Sequence, residues 1–231
     1  INPMDEAFGL AIKGGVTSAC TGPGSANVVG GTFVAMKLHG KRVDNMILRD
    51  PVAMKCAFGE NPKRCYGQAG KKAPMTRMGT AALLRELLMK TKRYMEDKET
   101  GKNPAFNMKL EAMIPVLKKQ IPLKAHAHQA NDILTAIRIA REFDVKLTLE
   151  HVTEGHLIAD ELAEENVPVA VGPSLSNASK FELRNKTFDT PGVLAKAGCL
   201  VSIITDSTVI PQQHLPLCAG MAVKAGMDPF H

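Results

Sequence analysis

The chain has 231 residues, of which 45% are hydrophobic and 4% aromatic, and a formal net charge of +6. This length suits one large α/β domain or two small ones, and the apolar content is sufficient for a core, which argues against disorder. The charge is mild and spread along the chain, and few aromatic side chains are available for base stacking, so nucleic-acid binding is disfavoured.

No apolar run approaches the ~20 residues that a bilayer-spanning helix needs, and nothing at the start resembles a signal peptide. We therefore expect a soluble, cytoplasmic protein without a membrane partner. The five cysteines are scattered and form no Cys-x-x-Cys pair, which argues against a disulfide framework and a structural zinc knuckle.

The first half of the chain contains several separate secondary-structure signals. Residues 5–13 have helical spacing and stop at Gly14-Gly15, a common C-terminal signal. A short β-branched stretch, "VTSACT", precedes a glycine-rich loop, and a further strand is expected around 52–58. "TRMGTAALLRELLMKTKRYMED" and "MKLEAMIPVLKKQI" both predict helices, since the first places four leucines on one face.

From residue 123 onward, strand and helix signals alternate regularly. The predicted strands span 123–128, 146–151, 167–172 and 199–205. The helices that follow them span 130–143, 155–165, about 190–197 and 213–226. Apolar strands that alternate with helices of this length predict βα units and a parallel sheet.

Two architectures fit this pattern: an open doubly wound sheet and a (β/α)8 TIM-type barrel. Three predicted strands end on polar residues, His126, His151 and Asp206. Polar groups that converge from several strand ends are typical of the barrel. About six or seven βα units can be counted, which is fewer than eight.

Two imidazoles and a carboxylate suit zinc or a similar divalent ion, because a catalytic zinc site needs about three protein ligands and an open position. His126 and His151 are therefore candidate metal ligands. His128 shares a strand with His126 but follows its end, so we expect it to face the loop and the substrate.

The motifs "KAHAH", "LTLEH" and "SIITD", with "NVPVAVGPSL" between the last two, resemble the later strands of the amidohydrolase superfamily, most closely its imidazolonepropionase-like and peptidase-like branch. The resemblance implies a barrel whose fifth and sixth strands end in metal-binding histidines, here His126 and His151. It also implies that Asp206, at the end of the eighth strand, binds the metal and handles the proton of the metal-activated water.

Two family features are absent from the sequence. The His-x-His pair of the first barrel strand has no counterpart, since the pair His126–His128 lies in a later unit, and the family's small β-sandwich is missing. Both chain ends look cut, with Ile1 at the start and a new helix beginning at "DP" near the end. We therefore expect residues 1–231 to be an incomplete hydrolase barrel, about strands two to eight, from a longer polypeptide.

The resemblance leaves the metal ligand from the fourth strand open. Relatives use either a carboxylated lysine or a glutamate there. Lys55 lies within the predicted strand and Glu60 just after it. We favour Glu60, because it needs no modification and lies in a loop with Asn61 and Arg64, but a salt-bridged surface loop is the remaining alternative.

Substrate binding is assigned to polar residues near the predicted barrel mouth: Arg64, Tyr66 and His128. The loop "TGPGSANVVGG" matches neither the dinucleotide nor the phosphate-loop pattern. A plain βα loop is one interpretation, and contact of Asn27 or Ser25 with substrate is the other.

The predicted activity is hydrolysis of a C–N bond in an amide, cyclic amide or amidine, with one or two divalent ions, most simply zinc. The substrate would be a small molecule or a short peptide-like compound, and an open sheet edge would favour a homo-oligomer. The alternative is a non-catalytic binding or scaffold protein that keeps a barrel remnant. A nucleotide-binding domain is disfavoured because the phosphate-loop motif fails.

Overall fold

A computed structural model describes residues 1–230 as a mixed α/β fold built on one seven-stranded sheet. The order of the strands in the sheet follows the chain. The strands are β1 (Ser18–Thr21), β2 (Val29–Lys37), β3 (Ile47–Ala57), β4 (Leu123–Ala127), β5 (Leu147–His151), β6 (Val169–Val171) and β7 (Val201–Ile203).

Helices precede the sheet, connect its parallel strands and follow the last one. They are α1 (Glu6–Lys13), α2 (Glu60–Lys63), α3 (Arg77–Glu99), α4 (Met108–Leu117), α5 (Ala130–Glu142), α6 (Ala159–Glu165), α7 (Thr190–Lys196) and α8 (Leu215–Lys224). A π-helical turn, Arg64–Gln68, extends α2. The long helix α3 begins at Thr76, whose side chain accepts a hydrogen bond from the Gly79 N–H, a standard N-cap.

The sheet has two parts that differ in strand direction. β1, β2 and β3 pair antiparallel, whereas β3 to β7 pair parallel. A helix crosses over between each pair of neighbouring parallel strands, as parallel pairing requires. The carboxyl ends of five strands therefore lie along one edge of the sheet.

The apolar core lies between the sheet and its helices. Core side chains on the strands alternate with polar ones, as the two-residue period of a strand dictates: Met54 and Cys56 flank Lys55, and Leu123 and Ala125 flank Lys124. The face that carries Lys55 and Lys124 is thus the one turned away from the core, and we call it the inner face.

The sheet is curled. Helix α1, which precedes edge strand β1, contacts the turn Gln212–His214, which follows β7 at the other edge. A Cβ on Gly14 would lie 2.6 Å from the Cα of Gln213, so glycine permits this close approach. Within residues 1–230, β1 and β7 remain unpaired with each other, and none of the helices there has the length and apolar character to cross a membrane.

The regular alternation predicted after residue 123 is confirmed, with boundaries that shift by a few residues. The first half differs from the prediction. The glycine-rich loop runs into strand β2, and β1 and β2 form antiparallel pairs instead of βα units. The count of six or seven βα units was therefore too high. The curled sheet agrees with an incomplete barrel.

Candidate metal centre

Three histidines meet at the carboxyl end of β4 and β5. His126 lies in β4, His128 follows its last residue, and His151 ends β5. One ring nitrogen from each lies within 4.8 Å of the others. The ring centroids of His126 and His151 are 4.4 Å apart, and the His128 ring stacks on His151 at 4.7 Å. This group is the candidate metal centre.

The three rings are buried and uncharged. Their exposed fractions are 3%, 4% and 3% for His126, His128 and His151. Burial lowers the pKa of all three, to about 2 for His128 and well below the usual value for His126. Metal ions bind the neutral imidazole, so this protonation state suits a metal centre at neutral pH.

His151 presents a free lone pair. Its Nδ1 lies 2.7 Å from the carbonyl oxygen of Gly172, which can only accept, so Nδ1 carries the proton and Nε2 does not. A backbone carbonyl that fixes the imidazole tautomer is the usual partner of a metal-binding histidine. His128 Nδ1 also has a hydrogen-bond partner, the Thr153 hydroxyl at 2.7 Å, but a hydroxyl can pair with either tautomer.

The backbone at the end of β5 is in an uncommon conformation. His151 and Val152 have φ angles of 75° and 48°, a region that disfavours side chains and particularly β-branched ones. In a regular strand, Glu150 and His151 would point to opposite faces. The left-handed turn instead brings the His151 ring beside His126 on the inner face, and such strain is typical of functional sites.

Asp206 lies near the cluster but is more open to solvent. It follows β7 by three residues and its side chain is exposed. Burial lowers the pKa of His151, and the Asp206 carboxylate is the largest influence in the opposite direction. The Asp206 carboxylate is therefore close enough to influence the pKa of His151. It is not one of the ligand atoms that lie within 4.8 Å of one another. Its predicted roles as metal ligand and proton acceptor stay predictions.

Lys55 lies on the inner face among buried charges. Its ammonium pairs with Glu150, and Lys124 Nζ lies 3.2 Å from the other oxygen of the same carboxylate. The Phe33 ring lies 5.5 Å and 5.6 Å from the two ammonium nitrogens. Burial alone would raise the pKa of Glu150, but the two lysine charges hold it below its usual value.

Glu60 faces a neighbouring loop instead of the histidines. Its carboxylate accepts a hydrogen bond of 3.1 Å from the Glu182 N–H, and its own N–H donates to the Glu182 carboxylate at 2.8 Å. Glu60 is not among the side chains whose ligand atoms group with the histidines, and the Lys55 ammonium is paired with Glu150. The choice between them as a metal ligand stays a prediction.

The predicted substrate-binding residues occupy different surroundings. The Tyr66 hydroxyl donates to Asn27 Oδ1, and both residues line a largely apolar cavity of about 530 Å³ between β2, β3, α3 and α4. Arg64 is exposed in the π-helical turn. His128 lies within the histidine cluster and is buried, whereas the sequence had placed it toward the loop.

Three further residues surround the cluster. Asn61 Nδ2 lies 3.3 Å from His126 Nε2, and Lys180 Nζ donates to Asn61 Oδ1 at 2.7 Å. The fully buried Glu182 carboxylate lies 3.8 Å from His128 Nε2, and burial raises its pKa. The sequence pointed to Asn61 only as a loop neighbour of Glu60, and no local pattern marks Lys180 or Glu182.

Three buried imidazoles at the carboxyl ends of parallel strands in a curled α/β sheet form a donor set that could hold a metal ion. Comparisons with known proteins find relatives named amidohydrolase. The chain is 26% identical over 257 aligned positions to amidohydrolase tasK of Hapsidospora irregularis, covering 99% of this chain and 26% of that protein.

A solved structure is more similar. The crystal structure of an amidohydrolase from Thermotoga maritima MSB8 superposes with a TM-score of 0.95 at 44% identity, over 99% of this chain and 61% of that one. No family model matches. Both relatives support the assignment to the amidohydrolase superfamily that the sequence motifs predicted. The chain spans about a quarter and about three fifths of the lengths of these two relatives.

Proposed function

We propose that this chain is part of a metal-dependent hydrolase that cleaves a C–N bond in an amide, cyclic amide or amidine. The observation that supports this most is the group of three neutral histidines, whose ligand atoms lie within 4.8 Å of one another. Similarity to two proteins named amidohydrolase supports the same proposal.

The residues present fit a divalent ion. His126 and His151 would hold it through Nε2, and His128 is the third imidazole within reach. Zinc is the simplest choice for an imidazole-rich donor set. When bound, such an ion lowers the pKa of a coordinated water and polarises the substrate carbonyl or amidine carbon.

The chain's own residues would position groups and move the proton. The Gly172 carbonyl holds the proton of His151 on Nδ1. Asp206, exposed at the same end of the sheet, would accept the proton of the attacking water on its carboxylate and pass it to the departing nitrogen. Arg64, Tyr66 and Asn27 are candidates for contacts with a small-molecule or short peptide-like substrate.

The architecture proposed for the whole protein is a (β/α)8 TIM-type barrel, of which residues 1–231 would supply strands two to eight, with β1 and β2 departing from the parallel pairing of such a barrel. The remaining strand would lie between edge strands β1 and β7 and bring the His-x-His pair. Support comes from the curl of the sheet, whose two edges approach each other through α1 and the turn Gln212–His214. A second metal ion and pairing with another copy belong to the same proposal.

Hydrolysis of a panel of N-acyl amino acids, dipeptides and cyclic amides, with and without added zinc, tests the proposed reaction. The chain and a version extended through the missing strand should be compared. We expect zinc-dependent turnover in the extended protein. Asp206→Asn should lower kcat at least 100-fold, as expected from loss of a general base, and weaken zinc binding without abolishing it, because the three histidines remain. Asp160→Asn, on the surface of α6, is the matched control.

Turnover that is unchanged in Asp206→Asn would contradict the assigned role of this residue. Bound zinc without turnover of any member of the panel would leave the metal centre intact and move the search to other C–N substrates. Absence of both metal and turnover in the extended protein would favour the non-catalytic scaffold.

A further inference from the structure

We infer that Asn61, held by Lys180, covers the metal-facing lone pair of His126, so that metal binding must displace it. The inference rests on the proposed metal centre and adds a positioning residue to it. The observation behind it is a chain of hydrogen bonds that joins two loops and ends on the histidine: Lys180 to Asn61 to His126 to Ser25.

The direction of each hydrogen bond follows from Lys180. A lysine ammonium can only donate, so the atom of Asn61 that faces it at 2.7 Å must be the oxygen Oδ1. The other amide atom, Nδ2, is then the donor that faces His126 Nε2 at 3.3 Å. His126 Nε2 must therefore be the unprotonated nitrogen.

The Nδ1 side of the His126 ring makes the last hydrogen bond of the series. With Nε2 unprotonated, the neutral imidazole carries its proton on Nδ1, which lies 3.0 Å from the Ser25 hydroxyl. Since a serine hydroxyl both donates and accepts, it adapts to either tautomer and cannot select one. Lys180, acting through Asn61, thus sets the tautomer of a histidine that it does not touch.

The segments that carry this series of hydrogen bonds are themselves joined to each other. Asn61 lies in helix α2, directly after β3, and Lys180 lies in the loop after β6. The same two segments are joined by the reciprocal hydrogen bonds between Glu60 and Glu182. Lys180 Nζ also lies 3.4 Å from Glu182 Oε1, and its side chain is only 18% exposed. Asn61 is therefore held between Lys180 and His126 by segments that are themselves joined.

This arrangement has two effects on a metal ion. It prepares His126 in the tautomer that offers Nε2, and it fills the position in front of Nε2 with an N–H group. A ligand nitrogen cannot accept that hydrogen bond and coordinate an ion at once. Metal affinity should therefore include the loss of one hydrogen bond, and metal binding should release Asn61 from its position between the two loops.

Long-range ¹H–¹⁵N spectra of the metal-free protein, labelled at histidine, test the tautomer directly. The His126 signals can be assigned by their loss in His126→Gln. We expect the wild type to show Nδ1–H at His126. Asn61→Asp should reverse the tautomer to Nε2–H, because a carboxylate accepts and cannot donate. Asn185→Ala removes a different loop amide, which donates to Glu154 at 2.8 Å, and should leave the His126 signals unchanged.

Zinc affinity, measured by competition with a chromophoric chelator, tests the displacement. Asn61→Ala should bind zinc about fivefold more tightly, equivalent to one hydrogen bond of about 1 kcal/mol, and Asn185→Ala should match the wild type. An Nε2–H tautomer in the wild type, or weaker zinc binding in Asn61→Ala, would overturn the inference. If the wild type binds no zinc, the proposed metal centre fails, while the tautomer spectra still decide the role of Asn61.

Discussion

The inner face of the sheet holds two neighbouring layers of polar side chains. One layer is joined by ion pairs, and the other consists of three imidazoles. Deeper in the sheet, the Glu150 carboxylate forms ion pairs with the buried Lys55 and the partly buried Lys124. At the carboxyl end, His126 and its two neighbours are buried without such ion pairs, and burial lowers the pKa of each.

The difference shows what each layer can do. A charge that is compensated by ion pairs stabilises a fixed arrangement only while every partner is present, because an unpaired buried charge is costly. Neutral imidazoles need no counter-ion and keep lone pairs available for an incoming cation. We therefore expect the charged layer to serve stability and the neutral layer to serve function.

The largest loss of stability is expected from removing the carboxylate that Lys55 and Lys124 share. Glu150→Gln leaves the Lys55 and Lys124 ammonium groups buried without their partner, and should lower the free energy of unfolding by about 3–5 kcal/mol. Urea denaturation measures this. Glu142→Gln, which removes a partly exposed partner of Arg85, is the control and should cost less than about 1 kcal/mol. Equal costs for the two variants would show that the inner layer is not a compensated set of charges.

The neutral layer should make stability depend on pH in a defined direction. The folded pKa of His128, about 2, lies below the unfolded value, so the unfolded chain binds more protons and stability falls as the pH falls below ~6.5. Protonation of His128 in the unfolded chain should cost about 2 kcal/mol of stability between pH 7 and pH 5. In metal-free His128→Gln, the loss of stability between pH 7 and pH 5 should be smaller by about this amount.

Unfolding free energies of wild type and His128→Gln, measured with a chelator across this range, check the effect. The difference between the two proteins isolates the histidine, because burial raises the pKa of Asp132 and Glu182 and those carboxyls change stability in the opposite sense. His39→Gln, at an exposed position, controls for the substitution itself. Parallel pH profiles for wild type and His128→Gln would mean that His128 is not held neutral by burial.

A smaller loss of stability is expected from a substitution at Gly59, where the buried Glu182 carboxylate lies close to the backbone. Gly59 has a φ of 77°, and a Cβ there would lie 2.5 Å from Glu182 Oε2, whereas Gly15, with a φ of 84°, has open space around it. Both glycine-to-alanine changes carry the cost of positive φ. Gly59→Ala should be less stable than Gly15→Ala by a further ~1–2 kcal/mol in thermal or urea unfolding. Equal losses would show that Glu182 moves aside freely.

Much of the parallel half could be predicted from the sequence, because its apolar strands alternate with helices and three of them lead into a polar residue at their carboxyl end. The antiparallel half could not. Strand β2 begins with Val29, Gly30 and Gly31, and two adjacent glycines favour a loop over a strand. Only pairing with β3 makes the segment extended, and that partner is not visible in the local pattern.

The candidate metal centre could also be predicted only in part from the sequence. His126 and His151 were found because strand ends in a parallel sheet meet at one edge. Lys180 and Asn61 are 119 residues apart in the chain, and only the folded loops bring them together. His128 was expected to face the loop because it follows its strand, yet continued alternation from His126 keeps its ring on the inner face, where it stacks on His151.

Zinc stoichiometry after equilibrium dialysis, determined by plasma mass spectrometry, tests most directly whether the neutral layer is a metal centre. The comparison needs the wild type, His151→Ala and His214→Ala, a histidine in the turn after β7. We expect close to one zinc or more per chain in wild type and His214→Ala, and a loss of at least one zinc in His151→Ala. Equal zinc content in the three proteins, or none in the wild type, would contradict a metal centre at these histidines.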